Sequence, residues 1–152
     1  MTTTELKSEL INQVRTRLSE MIHRQKHAMA ESQKEANSHK GAMASRYDTF
    51  KEEAQALRDG HAQQLQVLVA AAQIVEQLRP VPCENVGMGS LLLTDQGNYF
   101  VCTGLVDEAV IVAGTAYECV NIAAPLIRQF RAVPKGSAIK TPGGITTLHD
   151  IL

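Results

Sequence analysis

The sequence predicts an α+β protein, with a long N-terminal antiparallel helical hairpin over residues 1–79 and a small antiparallel β-sheet domain with one short helix over residues 80–152. Residues 1–79 contain two glycines and no proline, whereas residues 80–152 contain eight glycines and all five prolines. Apolar residues recur every three or four positions in the first part and fall into short runs between turn residues in the second. The change at Arg79-Pro80-Val81-Pro82 is the predicted boundary.

The first helix is predicted to begin near Thr3, because Thr2 and Glu5 form a capping box in which each side chain binds the other's backbone N–H. Side chains at three- and four-residue spacing then predict an apolar seam of Ile11, Val14, Leu18 and Met21. A second helix repeats this alternation without a break, which is the pattern of a coiled-coil seam. Its seam positions are Tyr47, Phe50, Ala54, Leu57, His61, Gln64, Leu68, Ala71, Val75 and Leu78.

The chain is expected to reverse over residues 37–41, because asparagine and glycine there favour the end of a helix. An arm of about 33 residues is about 50 Å long at 1.5 Å per residue. Such an arm cannot bury its tip against a sheet domain of this size, so we expect it to project.

Two polar residues interrupt the apolar seam of the predicted hairpin. Antiparallel packing puts Met21 near His61 and Gln64, with Gln25 opposite the interruption. The polar group either fixes the register of the helices or forms a partly solvated gap in a thin seam.

The C-terminal part reads as short strands separated by turn residues. The predicted strands are 90–94, 99–103, 110–112, 117–122, 138–140 and 145–148. Ala124-Pro125 opens a short helix that runs to about Phe130, because the fixed φ of proline suits the first helical turn.

Composition excludes several classes of function. A net charge of -1, from 15 basic and 16 acidic residues, provides no general field for DNA or RNA. No apolar run approaches the ~18 residues needed to cross a bilayer, and the N-terminus does not resemble a secretory signal, so a cytoplasmic location is expected. Cys83, Cys102 and Cys119 form no CxxC motif and are expected to be reduced, buried thiols.

Two groups of side chains are candidates for metal binding. His23 and His27 share a helix face but lack a clear third ligand, so we expect two solvated histidines rather than a metal site. Carboxylates cluster around the predicted reversal, where a second molecule could help them hold Mg²⁺ or where they simply form a soluble surface. These are Glu31, Glu35, Asp48, Glu52 and Glu53.

Four segments resemble the Gre-type bacterial transcription elongation factors over nearly the whole chain. They are Val86–Leu91, Val120–Arg128, Lys140–Gly144 and, for a divergent Gre-like branch, Ser45–Thr49. The family's Ser-Pro-Leu/Ile-x-Arg segment is matched with Ala124 in place of serine and one extra residue before Arg128.

The resemblance implies an FKBP-like C-terminal domain that docks at the secondary channel of RNA polymerase, while the hairpin enters the channel as a monomer. The polymerase-binding residues it implies are Ala124, Pro125, Leu126 and Arg128. The tip residues it implies are Lys40, Gly41, Arg46, Tyr47 and Asp48. In this family, tip carboxylates help hold a second Mg²⁺ in the polymerase active centre during RNA cleavage.

The sequence departs from the family at the tip, since Gly41–Arg46 contains no acid. We therefore expect a non-enzymatic regulator that has no cofactor of its own. The alternative keeps the same partner and lets Glu35 and Asp48 share Mg²⁺ with the polymerase and stimulate cleavage.

Two further classes are open. A prolyl isomerase follows from the FKBP-like topology alone and would need aromatic pocket walls, for which this half offers Tyr99, Phe100, Tyr117 and Phe130. A coiled-coil adaptor would need a second exposed apolar stripe, and the sequence offers only the edge formed by Leu6, Leu10 and Ile22.

Overall fold

The computed structural model describes the backbone of residues 1–38 and 44–152, and the side chains of residues 1–35, 52–53 and 55–152. Two long helices, α1 (Thr3–Ser38) and α2 (Ala44–Glu76), come first. A six-stranded sheet and a short helix, α3 (Pro125–Arg131), follow. The predicted α+β class is confirmed.

Helix α1 begins at the predicted residue and with the predicted cap. The Thr2 backbone N–H donates to Glu5 Oε2 at 3.1 Å, and the Glu5 backbone N–H donates to Thr2 Oγ1 at 3.1 Å. Two N–H groups that would lack a helical partner are thereby satisfied.

Helices α1 and α2 run antiparallel. Arg15 Nε lies 2.7 Å from Glu76 Oε1, whereas ten residues further along α1 Gln25 Nε2 donates to Gln64 Oε1 at 2.6 Å. Partner numbers on α2 fall as those on α1 rise, which is the sign of an antiparallel pair.

Most of the predicted apolar seam is confirmed. Its buried members are Ile11, Val14, Leu18, Leu68, Ala71 and Val75, and Met21 and Leu78 are half-buried. Leu57 was predicted in the seam, but 51% of its surface is exposed. The facing half of α1 carries small and polar residues, so it offers little apolar surface to cover Leu57.

Helix α1 ends at Ser38, within the stretch predicted to stop it, and Asn37 and Ser38 still belong to the helix. Gln25, predicted to lie opposite the polar interruption, contacts both His61 and Gln64. The remaining turn residues, 39–41, lie outside the described part of the chain.

The sheet strands have the order β3-β4-β2-β1-β6-β5. Their bounds are β1 (Leu91–Thr94), β2 (Gly97–Val101), β3 (Val110–Val112), β4 (Thr115–Val120), β5 (Ala138–Thr141) and β6 (Gly144–Ile151). All six predicted strands are present. Strand β3 has the predicted bounds, the other five have shifted ends, and β6 extends furthest beyond its prediction.

One strand pairing differs from the predicted antiparallel sheet, because β2 and β4 are parallel. The chain leaves β2, crosses through residues 102–109 and forms β3 at the edge before β4 returns beside β2. A connection of a dozen or more residues permits this parallel return, whereas a tight hairpin does not.

The core of the sheet domain lies between the sheet and α3. Leu92, Val101, Ile127, Phe130 and Leu148 are all fully buried there. The chain enters β1 through a turn in which Gly89 has a φ of 86°, a conformation that favours glycine.

The chain forms two compact units, one of residues Met1–Arg17 and Gln73–Leu152 and one of residues Leu18–Ala72. The sheet unit thus includes the first part of α1 and the end of α2. The predicted domain boundary between residues 79 and 80 stays a prediction. Within the described residues, no helix is long and apolar enough to span a membrane.

Acid is expected to remove one stabilising contact of the sheet domain. Lys135 Nζ lies 2.6 Å from Asp150 Oδ1, and this hydrogen bond holds the pKa of Asp150 below its ordinary value of 3.8. Because the folded pKa is the lower one, the contribution is full above pH 3.8 and is lost as the pH falls through the folded value. Both side chains are substantially exposed, so the effect is below about 1 kcal/mol.

Urea unfolding of the wild type and Asp150→Asn checks this. We expect the wild type to be slightly more stable at pH 7, with the difference shrinking near pH 2.5. An equal difference at both values would show that the Asp150 charge contributes nothing.

Candidate functional site

The predicted polymerase-binding residues lie at the start of α3. Asn121 shapes the approach: its Oδ1 accepts from the Ala123 N–H at 2.8 Å and its carbonyl accepts from the Ala124 N–H at 3.0 Å. Pro125 occupies the first turn of α3, where its missing N–H costs no helical hydrogen bond. The corner is therefore ordered before any partner arrives.

Burial separates these residues into two kinds. Ala124 and Leu126 are half-buried and pack against the domain core, whereas Pro125 and Arg128 are exposed. Ile127 and Phe130, on the opposite side of α3, are fully buried and anchor the helix. We define the α3 surface as Pro125 and Arg128, with Ala124 and Leu126 at its base.

The structure gives no side-chain geometry for the predicted tip. Lys40 and Gly41 lie outside the described residues, as do the side chains of Arg46, Tyr47 and Asp48. Glu35 is described and is exposed near the end of α1. Whether Glu35 and Asp48 meet therefore stays a prediction.

Metal-ligating side chains do not gather within the described part of the chain, where no group of three or more could hold an ion. His23 and His27 are exposed, and His27 Nε2 lies 4.0 Å from Glu31 Oε1 as a loose surface pair.

The polar interruption of the seam is a hydrogen-bonded layer. Gln25 donates through Nε2 to Gln64 Oε1, while its Oε1 lies 3.0 Å from His61 Nδ1. Gln25 and His61 are half-buried and Gln64 is exposed. The layer therefore has defined hydrogen bonds between the two helices, as a polar layer that fixes the register would have. It is also partly solvated, as a gap in a thin seam would be.

The base of α1 is hydrogen-bonded to the backbone around β3. Arg17 donates to the carbonyls of Glu108 at 2.7 Å and Ala109 at 3.1 Å. Gln13 Nε2 donates to the Ile111 carbonyl at 3.1 Å. These three bonds fix the first part of α1 within the sheet unit.

A fully buried lysine is the feature that the sequence interpretation missed. Lys7 has 0% of its surface exposed, and its Nζ donates to the Val81 carbonyl at 2.8 Å and to Cys83 Sγ at 3.3 Å. The sequence does indicate that this position is buried, because Lys7 continues the three- and four-residue spacing of Ile11 and Val14 toward the N-terminus.

The aromatic residues of the sheet domain are largely used by its core. Phe100 and Phe130 are fully buried, Tyr117 is 7% exposed and Tyr99 is half-buried. A prolyl isomerase pocket needs such side chains as exposed walls. The distribution of these aromatic rings therefore disfavours that class.

Among the described side chains of the two hairpin helices, the exposed large apolar residues are Leu57, Val67, Val69 and Ile74. Val67 and Ile74 are seven positions apart and share a face of α2, whereas Val69 lies about 200° from Val67, so only two of these side chains line up and they do not form a continuous stripe. The proposed edge is also covered, since Leu10 is fully buried and Leu6 and Ile22 are half-buried. A coiled-coil adaptor gains no support from this surface.

The described structure is an α+β protein with a two-helix hairpin and a six-stranded sheet domain. No known family model matches the chain, and no curated protein matches it. It is similar to the solved GreA factor homolog 1 (Gfh1) protein of Thermus thermophilus, with 16% identity and a TM-score of 0.37 over 91% of this chain and 94% of that chain. A second structure, of the transcription factor Gfh1, has 14% identity and a TM-score of 0.33 over 90% and 92%. Values this low do not assign the chain to a family.

Proposed function

We propose that this protein is a non-enzymatic regulator of bacterial RNA polymerase. It docks at the rim of the secondary channel through the α3 surface, and the end of its helical hairpin enters the channel. Support comes from the resemblance of four sequence segments to Gre-type factors, together with the fold in which those segments lie.

The observation that carries this proposal is the position of the Val120–Arg128 segment. The segment that resembles the polymerase-docking motif forms an ordered, surface-exposed corner, and its buried neighbours Ile127 and Phe130 hold it in place. A rigid surface loses little conformational entropy on binding, so few contacts suffice for useful affinity.

The hairpin supports the second part of the proposal through its length. Helix α1 has 36 residues, which corresponds to about 54 Å at 1.5 Å per residue. Its first turns are fixed to the sheet unit by Arg17, Gln13 and Lys7. A helix of this length is long enough for the reach that the proposal requires of the hairpin.

A pull-down with purified core RNA polymerase and the full-length protein tests the proposal. We expect stoichiometric retention that an excess of a cleavage-stimulating Gre-type factor reduces, because both occupy one site. Absence of retention, or retention that this competitor leaves unchanged, would contradict secondary-channel docking. The coiled-coil adaptor class would be favoured instead if candidate partner proteins were added to the pull-down and one of them were retained through the hairpin.

Transcript cleavage is expected to be weak or absent, because the tip segment Gly41–Arg46 carries no acid. Magnesium needs carboxylate oxygens about 2.1 Å away, so two acids on different helices form a poor substitute for a pair in one loop. The measurement is the rate of RNA shortening in a backtracked elongation complex.

Glu35→Ala and Asp48→Ala serve as the matched variants in this assay, with polymerase retention confirmed for each. We expect all three proteins to leave the RNA length unchanged over the time in which a cleavage factor acts. Rapid shortening by the wild type that either variant abolishes would establish the cleaving alternative.

A further inference from the structure

The pair formed by Lys7 and Cys83 lies outside the proposed polymerase-binding surface. The side chain of Lys7 is completely buried, and Cys83 Sγ accepts one of its N–H bonds at 3.3 Å. The Val81 carbonyl accepts a second at 2.8 Å. The pair joins the base of α1 to the segment that follows α2.

A buried ammonium group requires a compensating partner, because a low-dielectric site disfavours an isolated charge. Burial lowers the pKa of Lys7, and its hydrogen bond to Cys83 opposes that change. Among the described residues, no carboxylate forms an ion pair with Lys7, so Cys83 is the ionisable group in hydrogen-bond contact with it. The contact places the Nζ donor of Lys7 directly against the sulfur of Cys83.

Cys83 also differs from the other two cysteines in access. Cys102 and Cys119 are buried, as predicted, whereas Cys83 is half-buried and lines an open pocket of about 320 Å³. The side chains of Val81 and Met88 form part of the apolar wall beside it. A small neutral molecule can therefore reach the sulfur while Lys7 stays covered.

We propose that the Lys7–Cys83 pair is a site of oxidative modification, at which Cys83 reacts as a thiolate with hydrogen peroxide or a small organic hydroperoxide. The sulfur lone pair attacks the outer peroxide oxygen, an S–O bond forms and the O–O bond breaks. Hydroxide or alkoxide leaves with the bonding pair and takes a proton from solvent. Sulfur is oxidised by two electrons to the sulfenic acid, and the peroxide is reduced.

Alkylation of the native protein by iodoacetamide measures thiolate character at Cys83, with each site resolved by mass spectrometry. The matched control is the peptide of residues 80–86, which contains the same cysteine without Lys7. For the protein and for the peptide, the rate of alkylation near pH 6.5 is divided by the rate near pH 9.5. Steric access to the sulfur affects both rates alike, so it cancels in this ratio. We expect this ratio to be at least about 5-fold higher in the protein than in the peptide.

Lys7→Met keeps the length of the side chain and removes its charge, so the ratio should fall to that of the peptide. Hydrogen peroxide should likewise form a dimedone-trappable sulfenic acid at Cys83 in the wild type, several-fold slower in folded Lys7→Met. A wild-type ratio equal to that of the peptide, or an unchanged ratio in folded Lys7→Met, would overturn the proposal. If Lys7→Met fails to fold, the comparison of wild type and peptide decides it alone.

Discussion

Arg128→Glu is expected to weaken binding to core RNA polymerase by about 10- to 100-fold. Arg128 is the exposed cation of the α3 surface, and a desolvated charge-assisted hydrogen bond contributes roughly 1.5 to 3 kcal/mol. Titration of labelled protein with core polymerase at physiological salt provides the measurement.

Arg131→Glu is the matched control, because Arg131 is an exposed arginine in the same last turn of α3 but lies outside the matched segment. It makes the same change in net charge, so an effect of general electrostatic attraction would appear equally in both variants. Equal losses of affinity would contradict a specific role for Arg128. Far-UV circular dichroism confirms that both variants retain the fold.

Phe130→Ala is expected to lower the free energy of unfolding of the sheet domain by about 3 to 5 kcal/mol. Phe130 is fully buried with Ile127, Leu92, Val101 and Leu148, and its loss leaves a cavity that the surrounding strands cannot close. Urea unfolding of the full-length protein, followed by far-UV circular dichroism, measures the change. Since Phe130 also anchors α3, polymerase binding should fall together with the folded fraction.

Ile145→Ala provides the comparison for this stability prediction. Ile145 is an apolar residue of the same domain, but 66% of its surface is exposed, so its truncation should cost under about 1 kcal/mol. A loss below about 1.5 kcal/mol in Phe130→Ala would show that the core repacks around the missing ring.

Much of the fold was predictable because local chemistry determines it. The reciprocal bonds of Thr2 and Glu5 define the start of α1, and Pro125 defines the start of α3. The six strands follow from short apolar runs between turn residues. The ends of five of the six strands differ from the prediction, because pairing between strands, which the local pattern does not contain, determines where each ladder stops.

The local sequence pattern did not predict the features that depend on residues distant in the chain. The direction of β4 beside β2 depends on the path of residues 102–109, and no local preference records that path. Leu57 fits the period of the seam but lies exposed, because the facing residues of α1 decide whether it is covered. Lys7 is buried because a carbonyl and a thiol distant in sequence accept its hydrogen bonds.

The candidate site was predictable as a segment but not as a surface. The motif around Arg128 indicated which residues matter, yet only the fold shows that Leu126 packs against the core while Pro125 and Arg128 face outward. Substitution of Leu126 by a charged residue would therefore test stability as well as binding. Arg128 is the better probe for that reason.

The order of the strands also has a consequence for synthesis on the ribosome. Strand β1 lies between β2 and β6, and Leu91 exchanges two backbone hydrogen bonds with Leu152, at 3.0 and 2.9 Å. One edge of β1 therefore stays unpaired until the last strand has left the exit tunnel, whereas the hairpin unit Leu18–Ala72 is already complete. An unpaired apolar edge invites pairing with other chains, so the nascent sheet domain is vulnerable to aggregation until β6 has emerged.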